Sequence, residues 1–70
     1  MVPYDIFVSK VEEALPPETL ENYRRNGGSD DELAKEYLVH GYKAYGSGEK
    51  YGATLESVAQ QTANALCWDF

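Results

Sequence analysis

Prolines and glycines cut this chain into four stretches, and each stretch carries apolar residues at helical spacing. Pro16-Pro17 divides the first from the second, and Asn26-Gly27-Gly28 closes the second. The run "GSGEKYG" at 46–52 separates the third from the fourth. Proline restricts the residue before it to extended backbone and cannot donate inside a helix, whereas glycine tolerates the positive φ of a helix stop. With no alternating apolar run between these breaks, the punctuation leaves a helical protein as the expectation.

The first helix is expected over 3–15, with Pro3 at its start, where a missing N–H costs nothing. Tyr4, Phe7, Val8, Val11, Ala14 and Leu15 fall on one side at a period near 3.6. The second opens at Pro17 and reads "PETLENYRRN", with Glu18 and Glu21 early and Arg24 and Arg25 late. That order suits the helix dipole.

Ser29-Asp30-Asp31-Glu32 has the Ser-x-x-Glu form of a capping box, so the third helix is expected to start at Ser29 and run to Tyr45. A calcium loop would need more oxygen ligands at alternating spacing than follow here. Leu33, Ala34, Tyr37, Leu38, Gly41, Tyr42, Ala44 and Tyr45 spread over nearly half of this helix's circumference. An ordinary core-facing stripe is narrower. Ala34 and Gly41 lie mid-arc, where small side chains admit a neighbouring helix. Thr54 is placed to cap a last helix from Leu55 to Leu66 or Cys67. The expectation is thus an all-α domain over 1–70, a bundle of four short helices packed around the third.

Seventy residues make one small core. A lone cysteine excludes a disulfide within the chain, and with His40 as the one histidine neither a zinc cluster nor another metal or cofactor is expected. The loop at 46–52 matches neither glycine-rich phosphate-binding pattern. His40 sits near Lys43 and Glu36 at the edge of a polar face, and no cysteine-enzyme signature surrounds Cys67. No enzymatic activity is expected.

Six basic against twelve acidic residues give a formal charge of −6. Direct nucleic-acid binding is not expected from such a balance, and a partner with a basic protein surface is. The chain shows no basic leader, cleavage pattern or membrane-length apolar run, so no membrane contact and a cytoplasmic location are the expectation.

Three apolar residues fall off the faces that should be buried: Ile6, Val39 and Trp68. The chain is also rich in rings, with six tyrosines, two phenylalanines and one tryptophan. Tyrosine and tryptophan dominate protein–protein hot spots. Tyr37 is expected in the core. Tyr42, Tyr45, Tyr51 and Trp68, with the acids Asp30, Asp31 and Glu36, are the candidate partner-binding residues.

In length, acidity and lack of catalytic motifs the chain is similar in style to phage anti-CRISPR proteins and bacterial nuclease-immunity proteins. No segment is shared, so no functional residue carries over. The style implies a small inhibitor of a nucleic-acid-handling complex. The alternative is a helical homo-oligomer, such as a homodimer, using part of the wide arc on the third helix.

Overall fold

The computed structural model describes residues 2–48 and 54–69. Among them the order is α1 (Tyr4–Ala14), α2 (Pro17–Arg25), a single 3-10 turn (Gly28–Asp30), α3 (Glu32–Gly48) and α4 (Leu55–Asp69), with no strand. None of these helices is long and apolar enough to cross a membrane. The all-α bundle expected from the punctuation is what forms.

The breaks act as their chemistry dictates. Leu15 is extended at φ −74° and ψ 139°, as a residue before proline must be, and it ends α1. Pro17 opens α2 at its first turn. An Arg25–Glu21 pair at 2.9 Å lies along that helix, with both side chains exposed. Gly27 and Gly28 take positive φ, 114° and 61°, and swing the chain into the 3-10 turn.

The start of α3 differs from the expectation. Ser29 lies inside the 3-10 turn, and Asp31 is the cap. One Asp31 carboxylate oxygen accepts the amides of Leu33 at 3.0 Å and Ala34 at 3.1 Å, satisfying two orphan donors of the first turn. The Ser29 side chain instead lies near the Tyr23 hydroxyl. At α4 the expected cap holds: Thr54 Oγ1 accepts the Ser57 amide and Ser57 Oγ accepts the Thr54 amide, each at 3.1 Å.

The core takes Phe7 and Val11 from α1, Tyr23 from α2, and Ala34, Leu38 and Tyr45 from α3. Val58, Ala59, Ala63 and Leu66 come from α4, with Leu15 from the α1–α2 link. Each fully buried large side chain among these contributes roughly 1.5–3 kcal/mol. The backbones of α1 and α3 each run closest to α4, and α1 meets α3 through the rings of Tyr4, Phe7 and Tyr42. Thus α4 packs extensively against two helices, and α3 meets α4, α1 and the 3-10 turn.

Gly41 is the point of closest approach between α3 and α4. A Cβ there would overlap Thr62 Oγ1 and lie 3.2 Å from Phe7 Cζ. The Thr62 hydroxyl donates to the Val58 carbonyl at 2.9 Å, which satisfies it inside the packed interface.

Candidate functional site

The apolar period of α4 continues through Leu66 and the helix runs on to Asp69, so nothing turns Trp68 back onto the core. Its side chain stands 89% exposed. Ile6 and Leu33 follow at 45% and 43%. Leu33 was expected on the buried arc of α3, but in the first turn of that helix it is exposed. Val39 is half-buried.

Trp68 stands beside a groove of about 430 Å³ lined by Tyr37, Ala65, Trp68 and Asp69. Tyr37 comes from α3 and the other three from α4. The Tyr37 hydroxyl donates to Asp69 Oδ2, joining the two helices at this end. That bond raises the Tyr37 pKa above its ordinary value, helped by burial and by the charges of Asp69 and Glu36. Tyr37, expected in the core, is therefore only half-buried and forms one wall of the groove.

A smaller channel of about 200 Å³ lies along the α3–α4 seam, sharing Tyr37 and Ala65 with the groove and lined also by Gly41, Ala44 and Thr62. These small side chains leave the seam open on its outer side. On the outer face of α3, Glu32, Lys35, Glu36, Val39, His40 and Lys43 line an open surface of mixed charge.

The other candidates are placed as follows. Tyr45 is 7% exposed and belongs to the core. Tyr42 is half-buried, packs edge-on to Tyr4 and Phe7, and donates to the Val2 carbonyl at 2.7 Å. Tyr45 fills volume in the small core and Tyr42 packs against it. Asp31 is occupied as a helix cap. Asp30 and Glu36 are exposed. Tyr51 lies outside the described residues. Of the candidates among the described residues, only Trp68 lines the groove, with Tyr37 and Asp69 added, while Glu36 lies on the outer face of α3.

His40 is exposed on α3, and Cys67 packs half-buried against the core. Among the described residues no group of three or more His, Cys, Asp or Glu side chains converges on a metal-sized site. The role of Asp69 was legible in one respect: an acid in the last turn of a helix opposes the dipole, which marks it as a residue with another task. No family model, no curated protein and no solved structure matches this chain.

Proposed function

We propose that this chain is a non-enzymatic binding module that docks onto a basic surface of a protein partner. The observation that carries the reading is Trp68, 89% exposed in the last turn of α4 and lining a groove. An exposed tryptophan costs solubility and adds nothing to the core, whereas at an interface it is the residue type that most often dominates the energy. The net charge of −6 supports a basic partner.

Inhibition of a nucleic-acid-handling complex is the consequence that fits best, because such complexes present basic clefts that an acidic domain can occupy. Tagged protein and a Trp68→Ala variant, used to capture partners from lysate at several salt concentrations, test the reading. The expected result is one stoichiometric partner, lost in the variant and weakened by salt. Recovery of the same proteins by both forms overturns the role of Trp68.

A second reading has its own support. Leu33 at 43% exposure and half-buried Val39 are apolar residues of α3 that the core leaves partly uncovered. A second copy could cover them in a two-fold pairing. Sedimentation as a monomer at micromolar concentration removes it.

A further inference from the structure

The Trp68 groove brings together three features that favour a cation. The indole and the Tyr37 ring both line it, and aromatic rings attract guanidinium and ammonium groups through their quadrupoles. Asp69 contributes a carboxylate of which only Oδ2 is engaged by Tyr37, leaving Oδ1 to accept. The groove also opens at the C-terminal end of α4, the negative pole of that helix dipole.

No basic side chain of α4 answers these charges, since the helix reads "LESVAQQTANALCWD" without lysine or arginine. Asp69 therefore sits at the unfavourable end of a helix with no cation on that helix to offset it. Beside it stands the most exposed large apolar side chain of the described residues. Two local departures from good helix design at adjacent positions have one common remedy, a cation supplied from outside.

We propose that the Tyr37–Trp68–Asp69 groove is an arginine-reading site, which takes an arginine side chain projecting from a basic protein partner. Arginine suits it better than lysine. Its planar guanidinium stacks on an indole while its edge donates to a carboxylate, and it is less strongly hydrated than an ammonium. Glu36 adds negative charge on the α3 side, near enough to affect the Tyr37 hydroxyl. The volume, about 430 Å³, is ample for one such side chain and small for a folded element.

This assignment rests on the protein-binding reading above and names what the partner must present. It is tested on the whole chain with three blocked tripeptides, Gly-X-Gly, where X is arginine, lysine or the neutral isostere citrulline. Trp68 is the only tryptophan, so its fluorescence reports this groove alone.

The expected result is a saturable change with the arginine peptide in about the millimolar range. Lysine should bind more weakly, and citrulline at least about tenfold more weakly. Asp69→Asn keeps an acceptor for Tyr37 but loses the charge, and should reduce arginine affinity about tenfold with the helical signal unchanged. Indistinguishable arginine and citrulline titrations, or an Asp69→Asn variant with full affinity, overturn the assignment.

The two readings fail separately. A captured partner that depends on Trp68, with arginine and citrulline bound alike, overturns the arginine site and leaves protein binding standing. Charge-selective arginine binding with no captured partner leaves the site and removes the partner.

Discussion

The Tyr37 hydroxyl donates to Asp69 Oδ2, so one hydrogen bond ties the first half of α3 to the last turn of α4 across 32 residues of sequence. It holds the helix that carries Trp68 against its neighbour. Tyr37→Phe should leave the core and overall helicity intact while the amides of 67–69 exchange faster with solvent. Hydrogen exchange read residue by residue checks this. Protection unchanged at these amides would show that packing of Ala65 and Leu66 alone orders the last turn.

Gly41 admits no larger residue. A Cβ at this position overlaps Thr62 Oγ1, and the neighbouring Phe7 ring leaves little room for retreat. Gly41→Ala gains helix propensity but should still destabilise the domain by about 1–3 kcal/mol through overpacking. Adding Thr62→Ala removes the clashing hydroxyl and should recover part of that loss. Urea denaturation of the two single variants and the double variant measures the coupling, and strict additivity would show that the helices simply move apart.

Two neighbouring tyrosines should respond oppositely to loss of their hydroxyls. The Tyr4 hydroxyl is buried without a hydrogen-bond partner among the described residues, while Tyr42 donates to the Val2 carbonyl at 2.7 Å. Their rings meet edge to face at 5.3 Å, an arrangement that phenylalanine preserves. Tyr42→Phe should cost about 1 kcal/mol, and Tyr4→Phe should be neutral or stabilising by up to about 1 kcal/mol. Thermal unfolding separates the outcomes. Equal losses would mean that a water molecule satisfies Tyr4.

Capping of α3 gives a third contrast. Asp31 accepts two first-turn amides, and Ser29 accepts none of them. Asp31→Ala should therefore cost about 1 kcal/mol at neutral pH. Ser29→Ala should act through Tyr23 rather than through the helix start. Loss of amide protection at Leu33 and Ala34 in the Asp31 variant only is the expected pattern, and the reverse would restore the capping box.

These sites show where a linear reading succeeds. Helix positions were legible because proline, glycine and a 3.6-residue period are local signals. The close approach at Gly41 was legible for the same reason, as a small residue centred in a wide apolar arc. The cap was not. Ser29 and Asp31 are both acceptable N-cap residues, and the choice falls to Asp31 because Gly27 and Gly28 turn the chain early and Ser29 is drawn to Tyr23. Tyr42 and Tyr45 lie on the arc that the wheel marked as apolar, yet an excess of aromatics made them look available to a partner. A core this small needs them. Whether α4 continued past Cys67 was not legible from local signals, since Asp69 is held by a residue on another helix. That single contact also makes half of the groove, so Tyr37 and Asp69 were missed together.

Tyr23 makes the fold sensitive to alkali. It is fully buried, and burial together with the charge of Glu12 and the nearby Tyr4 pushes its pKa up to about 12 from an ordinary 10.0. Asp30 acts in the same direction, and the Ser29 hydrogen bond opposes them. Below pH 10 the hydroxyl is protonated in both states, and its burial is tolerated. Between pH 10 and about 12 the unfolded chain releases this proton while the folded chain keeps it. Stability is therefore lost as pH rises through that window. Tyr23→Phe removes the group and should cost about 1 kcal/mol at neutral pH, where the Ser29 contact is given up. At about pH 11 the variant should match or exceed the parent. Tyr4 shifts in the same direction, so some alkaline loss should remain in Tyr23→Phe and fall further in the double Tyr4→Phe, Tyr23→Phe variant. Urea midpoints measured at neutral pH and at about pH 11 decide the matter. Parallel losses in parent and variant would assign alkaline unfolding to other groups.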